Sequence, residues 1–162
     1  DHFEKLMLPA MLKARIGSKR LRIWCAAAST GQEPYSLGMI LREKQALLKD
    51  WRVEIIGTDL SSEVLARAKS GIYSQFEVQR GLPVQLMVKY FAKEREQWRI
   101  KDDVRSMVEY RQMNLLDSFV GLGSFDVAIT IAVFTFLTLR LLTLVKDGDP
   151  EIDGKAEADG KE

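Results

Sequence analysis

Residues 22–36 read Arg-Ile-Trp-Cys-Ala-Ala-Ala-Ser-Thr-Gly-Gln-Glu-Pro-Tyr-Ser. An apolar strand runs into a loop of small side chains, and Pro34 then stands in a first helical turn that can spare its N–H. Such a junction brings bare main-chain N–H groups up to a ligand at a helix N-terminus. A second apolar strand, Val53 to Gly57, ends in Thr58-Asp59. A carboxylate at the tip of the second strand is where a nucleoside-binding fold holds ribose hydroxyls. Together the two pieces point to a nucleoside cofactor.

Around them, helical and extended patterns alternate. Phe3, Leu6, Met7, Met11 and Leu12 recur at helical spacing, and Gly17-Ser18 ends that helix. Leu21 to Ala27 is the first strand, with Cys25 inside it, and Leu37, Ile40, Leu41, Ala46 and Leu47 form an apolar stripe running to about Lys49. Arg52 to Thr58 is the second strand; Ser61-Ser62-Glu63 starts a helix that Gly71 stops. Pro83 opens another, with Val84, Met87, Val88 and Phe91 as its predicted inner face. Trp98 to Lys101 reads as a short edge strand, and Val108 to Met113 and Phe125 to Ala132 as the third and fourth core strands. This order predicts an α/β fold with a parallel, doubly wound sheet.

Composition narrows the function. The chain has 162 residues, enough for one domain with a real core, and a net charge of +1 that argues against nucleic acid as the main partner. A single cysteine fits a reducing, cytoplasmic setting. One His and one Cys cannot build a zinc site, so no metal is expected. Residues 146–162 carry three lysines against seven acids and read as a disordered acidic tail. Val127 to Val145 has no charge except Arg140, and is expected to be a buried strand turning into an apolar helix, with a membrane span as the lesser alternative.

The loop Ala26-Ala27-Ala28-Ser29-Thr30-Gly31 lets a ligand touch the backbone, yet it is neither Gly-x-Gly-x-x-Gly nor a phosphate loop. Glu33 would repel a pyrophosphate and receive a cation or hydroxyl. S-adenosylmethionine, with a sulfonium, an ammonium and no phosphate, is the better match. Two plainer roles compete: Thr30 and Glu33 have capping-box spacing, and Asp59 is placed to cap the helix near Ser61. Asn114-Leu115 follows the third strand; the amide can donate to and accept from an adenine edge, or serve a turn. Tyr73, Gln79 and Arg80 form a polar stretch that is either a substrate groove or a solvated loop.

These segments, together with Ile-Ile-Gly-Thr-Asp-Leu-Ser, Ala-Lys-Ser-Gly-Ile-Tyr, Met-Asn-Leu-Leu-Asp and Phe-Asp-Val, resemble the chemotaxis receptor methyltransferases of the CheR type over roughly residues 2–127. The resemblance implies a Rossmann-like methyltransferase sheet, incomplete here at its C-terminus. It implies methyl transfer from S-adenosylmethionine to glutamate side chains on the cytoplasmic helices of chemoreceptors, giving methyl esters. By position, Glu33, Asp59 and Asn114 with Leu115 would contact the cofactor, and Ala28, Ser29 and Gly31 would form the loop beside its methionine part. Residues 1–17 would be the remnant of an N-terminal helical domain or linker helix, 18–145 the partial methyltransferase domain and 146–162 the tail.

The chemistry asks little of the side chains. A glutamate is already ionised at neutral pH and needs no general base to attack a methyl group. The enzyme must align the two and exclude water. Catalytic residues are therefore not identifiable from the sequence. The chain departs from the family after Phe-Asp-Val, where Ile131 and Ala132 stand in place of an Arg-Asn pair. The family's later strands, and the small inserted subdomain that helps bind receptors, are expected to have no counterpart. A catalytically impaired cofactor-binding module is the alternative function; a membrane-anchored regulator is the lesser one.

Overall fold

The computed structural model describes residues 2–130. The predicted strand beyond Thr130, the apolar segment that follows it and the acidic tail lie outside the described residues. A π-helical turn, Phe3–Met7, leads into α1, Leu8–Ala14. Then follow β1 (Arg20–Ala26), α2 (Gln32–Glu43), β2 (Arg52–Asp59) and α3 (Ser62–Ser70). Next come β3 (Ile72–Ser74), α4 (Gln75–Gln79), α5 (Val84–Tyr90), β4 (Phe91–Glu94) and β5 (Gln97–Ile100). The last elements are α6 (Asp102–Arg105), β6 (Val108–Gln112) and β7 (Val127–Thr130).

The main sheet is four-stranded and parallel, in the order β6-β2-β1-β7. Counting its own strands along the chain, that order is third, second, first, fourth, the half-sheet of a doubly wound fold. Strand alternation sets its two faces. Leu21, Ile23 and Cys25 of β1 are fully buried; Ile55 of β2, paired with Ile23, and Tyr110 of β6, paired with Gly57, share that core with Leu37, Leu41 and Val104. On the other face Arg22 donates to Glu54 (2.8 Å) and to the Ser124 and Leu122 carbonyls (2.7 and 3.0 Å). Trp24, beside it, stacks on Phe125 at 5.7 Å and donates to the buried Thr58 hydroxyl.

Asp126, from the Phe-Asp-Val segment, pins the start of β7 to β1. Its Oδ2 accepts from the Arg22 N–H (2.7 Å) and its Oδ1 from Arg15. This cluster sits where β1 and β7 begin, at the end of the sheet opposite the small-residue loop.

A second, antiparallel sheet of order β3-β5-β4 is inserted between α3 and β6. This small sheet is inserted where no counterpart was expected, and Trp98 to Ile100 lies in its central strand, not at an edge. Helix α5 also turns differently from its pattern: Met87 and Tyr90 are buried, while Val84 and Val88 are exposed. Helix α2 ends at Glu43, short of Lys49, and Leu47 faces solvent.

Candidate cofactor site

The loop leaving β1 is built on unusual backbone. Ala27 (φ 54°), Ser29 (φ 49°) and Gly31 (φ 86°) all take left-handed conformations. For the two residues with a Cβ this costs of order 1 kcal/mol each, so other groups must hold the loop in shape. The Ala28 N–H donates to the Thr58 carbonyl (2.8 Å), and the Ser29 N–H donates to Asp59 Oδ2 (2.8 Å). From beneath, the Tyr73 hydroxyl donates to the Thr30 carbonyl (2.7 Å), and Tyr110 reaches the Gly31 carbonyl at 3.4 Å. A Cβ on Gly31 would collide with the Tyr110 hydroxyl, which makes glycine obligatory there.

Gly31 is the residue that caps α2, with no side-chain capping bond. The plainer role weighed for Glu33, a capping box with Thr30, is not formed; the capping box among the described residues is Ser74 with Glu77, at α4. Glu33 is thereby released from a structural duty. Its Oε2 is buried and has no hydrogen-bond partner among the described residues. Burial pushes its pKa above the ordinary carboxylate range. The Cys25 thiol, buried in β1, is pushed up to about 12 by desolvation and then by the Glu33 charge. Glu33 itself stands in the first turn of α2, directly after the loop that leaves β1. Fully buried in the core, Cys25 is a packing residue.

Asp59 closes β2 and bridges two segments. One oxygen holds Ser29; the other accepts from the Ser61 N–H (3.0 Å). Ser61 itself caps α3 through its bond to Val64 (3.4 Å). Asp59 thus supports the helix start and orients the loop at once. The Met113 N–H donates to the Asp59 carbonyl (2.9 Å), which sets Asn114 and Leu115 beside the tip of β2. Asn114 Oδ1 accepts from the Leu116 N–H (3.0 Å), an Asx turn that does not use the amide nitrogen.

The fold therefore gathers Ala28, Ser29, Gly31, Glu33, Asp59, Asn114 and Leu115 at the C-terminal edge of β1, β2 and β6. Sequence reasoning missed Tyr35 and Tyr110 under the loop, and read Tyr73 only as part of a groove or a solvated stretch. Tyr35, Tyr73 and Tyr110 form an edge-to-face cluster with centroids 5.8 and 6.5 Å apart, and Tyr35 donates to the Ala68 carbonyl (2.7 Å). Tyr35 sits in the most informative segment, but nothing in its spacing marks it as a buttress. Tyr73 and Arg80 do line one cleft, of about 130 Å³, with Gln32, Ser36 and Glu77; Gln79 does not. No group of His, Cys, Asp and Glu among the described residues is arranged to hold a metal ion. No helix among them is long and apolar enough to cross a membrane.

A parallel half-sheet with a small-residue loop after its first strand and a carboxylate after its second defines a Rossmann-like nucleoside-binding domain. Residues 1–140 match the family model described as the CheR methyltransferase, SAM binding domain. The chain is 40% identical to chemotaxis protein methyltransferase 1 of Pseudomonas aeruginosa, over 94% of this chain and 60% of that protein. It is 35% identical to a chemotaxis protein methyltransferase of Pseudomonas putida, over 94% and 59%. It is 31% identical to a probable chemotaxis protein methyltransferase of Rhizobium etli, over 78% and 49%. The chain belongs to the CheR methyltransferase family, in its S-adenosylmethionine-binding domain. It spans about three fifths of the length of the first two relatives. The family match reaches residue 140, beyond the Phe-Asp-Val segment where the sequence resemblance was expected to end.

Proposed function

We propose that this chain binds S-adenosylmethionine at the C-terminal edge of its sheet and serves methyl transfer to glutamate side chains of chemoreceptors, giving methyl esters. The observation that carries the binding reading is the buried, unpartnered Glu33 Oε2 at the loop–helix junction. A buried carboxylate oxygen without a partner costs about 1–3 kcal/mol, more when charged, and a ligand hydroxyl or ammonium would satisfy it. Asp59 and Asn114, adjacent across β2 and β6, would meet the ribose and the adenine edge. Ala28, Ser29 and Gly31 would lie against the methionine part, where bulk is excluded.

When bound, S-adenosylmethionine supplies a methyl group on a positively charged sulfur. The protein's part is to orient that group and keep water from it. Glu33, Asp59, Asn114 and the loop of Ala28, Ser29 and Gly31 would hold the cofactor, and it would supply a methyl to an acceptor glutamate oxygen, its sulfur keeping the electron pair of the broken carbon–sulfur bond. The carboxylate and sulfonium charges cancel in this step, so a dry mouth favours it. The acceptor needs no base, and none of the described residues is assigned as one.

The names of the three relatives support methyl transfer in chemotaxis in preference to binding alone; chemoreceptor cytoplasmic helices as the substrate come from the family resemblance. The cytoplasm follows from that substrate. Transfer is tested by incubating the chain with methyl-labelled S-adenosylmethionine and receptor-bearing membranes. Label released as methanol by mild base is the expected result. Its absence, with cofactor binding demonstrated in the same preparation, would rule out transfer by this chain.

A further inference from the structure

Tyr73 ties together two parts of the chain that lie 43 positions apart. It belongs to β3, the first strand of the inserted sheet, where it pairs with Trp98 of β5. Its side chain is nearly buried and its ring is held by Tyr35 at 6.5 Å and Phe91 at 6.2 Å. Its hydroxyl ends on the Thr30 carbonyl, the peptide that leads into left-handed Gly31. The supports from Thr58, Asp59 and Tyr110 come from β2 and β6 of the main sheet. Among the described residues, Tyr73 alone bonds the inserted sheet to this loop.

We propose that Tyr73 is a positioning residue for the cofactor loop, and that through its hydroxyl the inserted sheet senses whether the loop is occupied. This rests on the S-adenosylmethionine reading above. The loop holds three residues in left-handed backbone, so small losses of support loosen it. A ligand that stiffens the loop strengthens the bond to Tyr73 and steadies β3. By linkage, steadying the inserted sheet tightens the ligand by the same factor. Desolvation drives the phenol pKa well above its ordinary value, so Tyr73 remains a donor throughout the working pH range.

The test compares the full chain with Tyr73→Phe, using S-adenosylhomocysteine as probe, by calorimetry and amide hydrogen exchange. Tyr73→Phe is expected to weaken binding about tenfold, the loss of one buried hydrogen bond. In the wild-type chain the probe is expected to slow exchange at residues 72–74 and 97–100, and in Tyr73→Phe that protection is lost while protection at 28–31 persists. Tyr90→Phe, which removes a hydroxyl bonded to Glu43, serves as control and keeps both the affinity and the protection. Unchanged affinity in Tyr73→Phe, or protection of the inserted sheet that survives it, overturns the proposal. So does wild-type binding with no change in the inserted sheet, a result that stands even if the variant fails to fold. Absence of wild-type binding overturns the cofactor reading as well, and so separates the two failures.

Discussion

Glu33 is held where it costs stability, and its substitution should show that. Burial raises its pKa, so the folded chain keeps a proton that the unfolded chain has already lost. Stability contributed by this group therefore falls as pH rises from the ordinary value of 4.5 to the raised one, and the loss is complete above that. Glu33→Gln should raise the melting temperature of the free protein at neutral pH by about 1–3 °C and flatten that part of the pH profile. The same change should weaken S-adenosylhomocysteine binding about tenfold or more. A variant no more stable than wild type in thermal melts at pH 7 would contradict the burial account. Gly31→Ala should behave in the opposite sense. Its Cβ meets the Tyr110 hydroxyl at a left-handed φ of 86°, and a loss of about 2 kcal/mol or more is expected in urea denaturation. Glu33 also shows how a local signal misleads. Thr30-x-x-Glu33 has the spacing of a capping box, yet Gly31 turns left-handed and takes the capping position one residue later.

The strands of the main sheet were legible because their apolar runs end in turn residues and the helices between them are amphipathic. The small-residue loop and the Asp59 carboxylate were legible for the same reason: chain order alone puts both at strand ends. Of the inserted sheet only Trp98 to Lys101 was legible as a strand, and its place in the sheet was not. Its strands are only 3–4 residues long, too short for a period to show, and Trp98 lies in a central strand that presents a mixed polar pattern. The spacing in α5 failed because Val84 and Val88 share an exposed face while Tyr90 turns inward. Two substitutions separate the ends of the main sheet. Asp59→Ala removes the acceptor for the Ser29 and Ser61 N–H groups and should weaken S-adenosylhomocysteine by about 1–3 kcal/mol in calorimetry. Asp126→Ala breaks the clamp on Arg15 and Arg22 where β1 and β7 begin. It should cost about 2–3 kcal/mol of stability in denaturant while leaving the dissociation constant within about twofold.

Taken together, the described chain is a nucleoside-binding half-sheet with a small antiparallel insert, and its parts divide the work. The Asp126–Arg22 end fixes the strands. The opposite end holds a strained loop, a carboxylate that supports it and a second carboxylate, Glu33, whose buried Oε2 has no hydrogen-bond partner among the described residues. The tyrosines beneath the loop could not be foreseen, because a buttress depends on packing between β3, β6 and α2 that no local pattern records. Calorimetric titration of the wild-type chain and of Glu33→Gln with S-adenosylhomocysteine tests the central claim most directly. Saturable one-to-one binding by the wild type, at least about tenfold weaker in Glu33→Gln, is the predicted result. No binding by the wild type at millimolar ligand, or equal affinity in the two proteins, would contradict it.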